Sequence, residues 1–257
     1  MGGHPEISYR FALRPKWIIW HVIAVSAVVT MVFLGLWQVR RLQERRADNA
    51  IILARGSVDP TPVAEVLAPD TLPTKVEALT FRRVVAVGEY RVADEVLVRN
   101  RTNGGAPGYW VLTPLQQASG VALVVNRGWI PLPYGDANDP ALFAPPSGTV
   151  TVTGAIHETQ KQEGLGVEDP TDGRLAKLSR VDVPRLGQQV AYPVLPGYID
   201  LVGSDPPSLL AQPQPIPPRE LNDGSHVNYA GQWFIFTTLT LITYPLLLRR
   251  TARRLAT

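Results

Sequence analysis

The chain has 257 residues and contains no cysteine. Disulfide bonds, thiolate metal sites and cysteine redox chemistry are therefore excluded. A folded domain in this chain must be stabilised by its hydrophobic core alone. The polar part of the sequence is long enough to form one such core.

The common catalytic motifs are also missing. There is no P-loop and no Gly-x-Ser-x-Gly elbow. His157-Glu158 begins like a zinc-protease helix but lacks the second histidine, and Gly164 and Gly166 lack the third glycine of a dinucleotide fingerprint. We predict that the protein is not an enzyme. The alternative, an exported enzyme tethered at both ends, would need a convergent acid–base pair that the sequence does not show.

The chain has little excess charge, with a net charge of +3, and no basic patch is interleaved with aromatic residues. This pattern argues against nucleic acid as a partner. Most of the excess positive charge lies at the flanks of two apolar spans, where we expect it to contact membrane lipid headgroups.

Two spans contain no Lys, Arg, Asp or Glu, at residues 17–37 and 231–248. Each is close to the roughly 20 residues that a helix needs to cross a bilayer core. Trp17 and Trp37 resemble interface anchors, and the first span is longer than the apolar core of a signal peptide. We predict two transmembrane helices, over residues 17–37 and 229–248.

Four arginines follow the second span directly, with no acidic residue among them: Arg249, Arg250, Arg253 and Arg254. Basic flanks mark the cytoplasmic side of a membrane helix. We therefore predict a cytoplasmic N-terminus (residues 1–16), an extracytoplasmic domain (residues 38–228) and a cytoplasmic basic tail (residues 249–257) in a bacterial cell membrane. A mitochondrial inner membrane stays open as an alternative.

Between the spans, six short segments carry β-branched residues or alternate in polarity, as is typical of strands. They are residues 81–90, 95–99, 109–115, 121–125, 149–156 and 198–202. The third and fourth are separated by a glycine-containing turn and predict a hairpin. Short helices are predicted after the N-caps Thr61 and Asp182, each followed closely by proline. The predicted fold is a mainly antiparallel β domain, a small barrel or sandwich, flanked by the two membrane helices.

Polar and aromatic residues gather where both spans meet the outer interface. The group comprises Trp37, Gln38, Arg40 and Arg41 on the first helix and His226, Gln232 and Trp233 on the second. His226 has two readings, a solvated interface histidine or an axial haem ligand with the arginines pairing propionates. Both glutamine amides need a hydrogen-bond partner at this depth.

Two further features concern the helix pair. Gly35 and Gly231 would let the helices approach closely. His21 lies near the cytoplasmic end of the first span, and most of a bilayer separates it from His226. We expect His21 to form a hydrogen bond to the neighbouring helix.

The sequence resembles the surfeit-locus (Surf/Shy) family of cytochrome c oxidase assembly factors. Six segments in a fixed order carry the resemblance: LGLWQVRR (34–41), FRRVVAVGEY (81–90), VRNR (98–101), GYWVLTPL (108–115), VNRGWIP (125–131) and HVNYAGQWF (226–234). They cover both spans and much of the domain between them.

The resemblance implies a role in maturing haem-copper oxidases while haem a is inserted into subunit I. Some bacterial members bind haem a through a histidine at the second helix, and His226 is the matching position. On this hypothesis Trp37 and Trp233 flank the haem and Arg40 or Arg41 neutralises a propionate. Partners would be subunit I, other oxidase subunits and haem a synthase.

Two alternatives within this resemblance bind no haem. In one, the protein steadies subunit I, and Asn126, Arg127 and Trp129 form a donor-rich strand end that contacts the partner. Alternatively, those three residues have a purely structural role and cap the end of a strand. In the other, the protein is a stable accessory subunit of the oxidase and co-purifies with it stoichiometrically.

Overall fold

The computed structural model describes residues 8–137, 139–162, 167–217, 219 and 221–256. The chain forms two compact units, one of Met1–Ile51 with Glu220–Thr257 and the other of Ile52–Arg219. We describe them in turn as the helix pair and the barrel unit.

The helix pair consists of α1 (Pro15–Gly56), which continues into the second unit, and α6 (His226–Ala256). The apolar window of each is long enough to cross a bilayer, and only 6% of either window is buried. A core helix of a soluble protein would be mostly buried. These exposed apolar surfaces are therefore compatible with a membrane-anchored protein.

The course of α1 agrees with the sequence pattern. Proline at the first position suits a helix start, because its missing N–H has no partner there in any case. The helix extends beyond the predicted span of residues 17–37 and ends at Gly56. Threonine side chains in α6 hydrogen-bond to the carbonyl four residues earlier, which satisfies their hydroxyls without water. They are Thr237, Thr238, Thr240 and Thr243.

The barrel unit contains eight strands, four short α-helices and two 3-10 helices, Val92–Asp94 and Pro140–Phe143, within its described residues. The strands are β1 (Thr61–Pro62), β2 (Arg83–Tyr90), β3 (Val96–Asn103), β4 (Ala106–Gln116), β5 (Ala122–Pro131), β6 (Thr149–Glu158), β7 (Lys177–Leu178) and β8 (Val194–Asp205). The helices are α2 (Val63–Val66), α3 (Pro73–Leu79), α4 (Leu132–Asp136) and α5 (Val183–Gly187).

Five strands close into a ring in the order β2–β6–β8–β5–β4, because β4 pairs back to β2. The β4–β5 hairpin is confirmed. The sheet is mixed rather than antiparallel, since β5 pairs with β8 in parallel, as do β1 with β2 and β3 with β7. A parallel pair needs a long crossover, here residues 132–193, and local alternation of residues cannot reveal its partner.

The core fills the ring and also covers β5 from outside. Nine consecutive residues of β5, from Ala122 to Ile130, are buried. Inside lie aliphatic side chains such as Leu115, Leu123 and Ile199. Outside, a second cluster around Val124 and Leu186 packs between the sheet and α5.

The helix caps show one correct prediction and one wrong one. Asp182 caps α5, where its side chain accepts from the backbone N–H of Arg185 at 2.9 Å. Thr61 does not cap α2: it pairs with Val84 in β1, and Pro62 takes the cap position without a side-chain bond. Thr61 is a strand residue because its backbone pairs with β2, a partner that the local sequence does not indicate.

Candidate functional site

The first feature of the helix pair is a hydrogen bond between its two helices. His226, the first residue of α6, places Nδ1 2.8 Å from Oε1 of Gln38 on α1. An amide oxygen only accepts, so Nδ1 must carry the proton. In neutral imidazole the lone pair then lies on Nε2.

Nε2 of His226 has no hydrogen-bond partner among the described residues, and the side chain is only partly buried. Gly224 lies beside this edge of the ring with φ +65°, a conformation that favours glycine. A Cβ at Gly224 would lie 3.4 Å from Cδ2 and 3.6 Å from Nε2. The missing side chain thus leaves the Nε2 edge open.

The segment before His226 is tied to α1 by polar contacts. Arg46 donates from Nε and Nη2 to Oδ2 of Asp223, at 3.1 and 2.6 Å. Asn49, which is buried, donates to the carbonyl of Asn222 at 3.2 Å, and Arg45 reaches the same carbonyl at 3.4 Å. The hydrogen bond and charge of Arg46 lower the pKa of Asp223 below its usual range.

Sequence reasoning missed these anchoring residues. The signal that could have found them is the spacing of Arg45, Arg46 and Asn49, which share one face of the helix beyond the apolar span. The preceding segment offered Asn222 and Asp223 as partners. Their pairing depends on how the two helices are aligned, which the sequence does not state.

Among the described residues, the other predicted residues of α1 form no hydrogen bond or ring contact with His226. At 100° per residue, Gly35 and Gln38 face α6, whereas Trp37 and Arg40 lie on other faces. Trp37 is 50% exposed, and Arg41 forms an exposed ion pair with Glu44 at 2.9 Å. Arg41 lies only 60° around the helix from Gln38, above Trp37 on the same stripe.

On α6, Trp233 lies on the same face as His226, seven residues further along the helix. It is partly buried and packs edge-to-face against Phe236, with ring centroids 6.3 Å apart. Gln232 is exposed and points to another side of the helix. Among the predicted site residues of the helix pair, the structure thus brings together only His226 and Gln38.

The glycine prediction is half right. Gly35 is buried, and a Cβ there would lie 2.9 Å from ring atoms of Phe234, so glycine permits this close approach. A Cβ at Gly231 would meet no atom within 4 Å among the described residues. Its role in close packing was therefore predicted wrongly, because Gly231 does not face α1.

His21 forms the predicted hydrogen bond to the neighbouring helix. Its Nδ1 lies 2.6 Å from the hydroxyl of Tyr244, and its Nε2 lies 3.1 Å from the carbonyl of Ala12. The carbonyl only accepts, so in the neutral ring Nε2 carries the proton and Tyr244 donates to Nδ1. Both nitrogens of His21 are occupied, and neither is available to a metal.

The expected donor-rich surface on β5 is not formed. Asn126, Arg127 and Trp129 are 0%, 6% and 4% exposed. Trp129 donates its indole N–H to the carbonyl of Arg101 at 3.1 Å. The expectation of exposure was wrong because β5 lies between β4 and β8 in the ring, and other segments cover its outer face.

Arg127 belongs to a buried polar cluster instead. It donates to Glu95 at 2.6 Å, to Thr113 at 2.7 Å and to the carbonyl of Phe143 at 2.8 Å. The side chains of Arg127 and Glu95 are 3% and 6% exposed. Tyr90 lies beside this cluster, and burial raises the pKa of its hydroxyl to about 12.

His157 is in β6 rather than in a zinc-protease helix. Its Nε2 lies 3.2 Å from Asp200, and its ring stacks on Tyr198. Within the described ranges, no group of three or more His, Asp or Glu side chains could hold a metal ion. Gly164 and Gly166 lie outside the described residues.

These features define a class of protein in which two candidate membrane helices precede and follow a small mixed β-barrel in the chain. A histidine bridges the helices near one end, and one of its nitrogens has no partner among the described residues. A model of the SURF1 family matches residues 25–238. The chain therefore belongs to the SURF1 family.

Individual relatives agree with this assignment. The chain is 26% identical to an uncharacterised SURF1-like protein of Mycobacterium bovis, over 90% of this chain and 83% of that protein. It is 24% identical to a SURF1-like protein of Caenorhabditis elegans, over 89% of this chain and 74% of the relative. A match to the cytochrome oxidase assembly protein SHY1 of Saccharomyces cerevisiae is 30% identical over 38% of this chain and 24% of the yeast protein.

Proposed function

We propose that this protein is a non-enzymatic assembly factor for haem-copper cytochrome c oxidase, which assists the insertion of haem a into subunit I. Membership of the SURF1 family and the name of the yeast relative support the assembly role. The observation that carries the haem proposal is His226, whose Nε2 lone pair has no partner among the described residues.

The residues around His226 fit a haem. Imidazole is a common axial ligand of haem iron, which supplies the coordination bond when haem is bound. Trp233 offers aromatic surface on the same face of α6 as His226, and Trp37 offers an exposed ring on another face of α1. Arg41 lies near Gln38 around α1 and is available to pair a propionate, because its exposed ion pair with Glu44 is weak and easily exchanged.

The proposal includes a membrane topology. Both helices span the membrane, the arginine-rich tail is cytoplasmic, and the barrel unit lies outside the cytoplasm. Subunit I is then the partner in the same membrane, with other oxidase subunits and haem a synthase close by. A ligand held by one imidazole can be released to such a partner more easily than one held by two.

The test is an absorption spectrum of detergent-purified protein from cells that make haem a. We expect a low-spin haem a band in wild type that is lost in His226→Ala. The matched control is His21→Ala, which removes the other interhelical histidine and should keep the band. If none of the three samples, including wild type, contains haem, the proposal that the protein delivers haem is refuted.

Oxidase assembly is measured separately, in a bacterial strain that lacks its own SURF1-family protein. The wild-type gene should restore the oxidase haem a signal in membranes, and His226→Ala should restore less. Full restoration by a chain that binds no haem would favour the alternative, in which the protein steadies subunit I without a haem of its own.

A further inference from the structure

We propose that Gln38 is a positioning residue for His226: it selects the ring tautomer whose Nε2 lone pair is free for a metal. The inference rests on the proposed function, because it takes His226 as the haem ligand. It adds a residue on the opposite helix, with a role that differs from ligation and can be measured without haem.

The chemistry follows from the hydrogen bond at 2.8 Å between His226 Nδ1 and Gln38 Oε1. A neutral imidazole has two tautomers, and only the one protonated at Nδ1 can donate to this oxygen. The same bond increases the electron density on Nε2 and fixes the orientation of the ring, as second-shell partners of histidine ligands do.

Both partners of this bond are held in place. On one side of Gln38 along α1, Gly35 is packed against Phe234 of α6. On the other side, Arg46 and Asn49 bind the segment just before His226. Because both helices are fixed to each other on either side of this bond, the bond can hold the ring in one orientation.

His21 provides an internal comparison within the same helix pair. Its Nε2 donates to the Ala12 carbonyl and its Nδ1 accepts from Tyr244, so its tautomer is the opposite one. The structure therefore assigns opposite neutral tautomers to two histidines that both bridge α1 and α6.

The first experiment is nitrogen-15 NMR of histidine-labelled protein in detergent without haem, at a pH above the histidine titration range. The chain has only four histidines, so the signals can be assigned by substitution. We expect His226 protonated at Nδ1 and His21 at Nε2. In Gln38→Leu, His226 should shift toward the Nε2-protonated form, while Tyr244→Phe should change His21 alone. An unchanged His226 signal in Gln38→Leu would overturn the proposal.

The second experiment measures haem retention and midpoint potential in the full chain. We expect Gln38→Leu to lower haem affinity by about 10–100-fold, the usual loss when a second-shell partner is removed. Gln38→Glu keeps an acceptor and should retain haem with a lower midpoint potential, which a purely structural role would not change. The control is Gln43→Leu, an exposed glutamine on the same helix.

The two proposals fail in different ways. If wild type binds no haem, the haem function is wrong, and the NMR result still decides whether Gln38 sets the tautomer. If wild type binds haem and Gln38→Leu changes neither the tautomer nor the affinity, the positioning role is wrong and haem binding stands.

Discussion

The helix pair and the barrel unit differ in how fully their polar side chains are buried and hydrogen-bonded. In the barrel unit, Arg127 is almost fully buried and donates to three oxygen acceptors. In the helix pair, His226 is partly buried, and within the described part of the chain it hydrogen-bonds through one of its two nitrogens. A buried cation must be fully paired because an unpaired one would destabilise the fold. A histidine that coordinates a metal, as proposed for His226, needs the lone pair of one ring nitrogen to be free.

The same contrast separates the two histidines of the helix pair. Both nitrogens of His21 are hydrogen-bonded, whereas His226 has one nitrogen bonded to Gln38 and one without a partner among the described residues. The comparison teaches that two histidines of the same helix pair can differ in hydrogen-bond satisfaction, and the haem proposal rests on the one with a nitrogen that has no partner among the described residues.

The largest expected effect is in the barrel unit. Arg127→Met should lower the free energy of unfolding by roughly 3–5 kcal/mol, because it leaves the Glu95 carboxylate buried without its cation. Chemical denaturation of the full chain in detergent, followed by near-ultraviolet circular dichroism, measures this.

Replacing both partners, as in Arg127→Met with Glu95→Leu, should recover part of the loss, since no unpaired charge is then buried. If Arg127→Met unfolds at the same denaturant concentration as wild type, the buried ion pair does not stabilise the barrel unit. The contrast between the fully paired Arg127 and the partly paired His226 would then have no energetic basis.

A smaller effect is expected for the packing of the helix pair. Gly35→Leu places side-chain atoms where the Phe234 ring lies and should weaken the pairing of the helices by about 1–3 kcal/mol. Gly231→Leu is the matched control, because that position is open. Spin labels on one cysteine added to each helix report their separation, and the absence of native cysteine removes background.

A longer interhelical distance in Gly35→Leu alone is the expected result. Equal distances in both variants would show that Gly35 does not set the approach of the helices. The His226 tautomer gives a second readout, since separation of the helices should also break its bond to Gln38.

The smallest effect concerns the ion pair of Arg46 with Asp223. This pair is exposed, whereas the pair of Arg127 with Glu95 is buried. Arg46 lowers the pKa of Asp223, so the pair contributes above the carboxyl's ordinary pKa and is lost as pH falls through the depressed value. Arg46→Met should return this pKa to its usual range, as carboxyl NMR titration would show.

Salt provides the control for this last prediction. An exposed pair is screened by salt, so high ionic strength should reduce the difference between wild type and Arg46→Met. If the pKa of Asp223 still differs between wild type and Arg46→Met by the same amount at high salt, the pair of Arg46 with Asp223 is more shielded from solvent than the structure indicates. The ion pairs of the two units would then be more alike.

Much of the fold follows from the sequence alone. Absence of charge over residues 17–37 and 231–248 indicates two long apolar helices, and both are exposed in the structure. Local alternation located the strands, and Asp182 marked the start of α5. These features depend on neighbours in sequence, where periodicity and capping act.

Only the tertiary structure decided which groups meet. The position of β5 inside the ring, between β4 and β8, buries Asn126 and Arg127, which the sequence analysis had placed at the surface. The alignment of α1 with α6 gives His226 its partner in Gln38 and turns Trp37 and Arg40 elsewhere. Contacts across such distances in sequence depend on the register and rotation of packed elements, and these are set by the packing of the whole chain rather than by any local pattern.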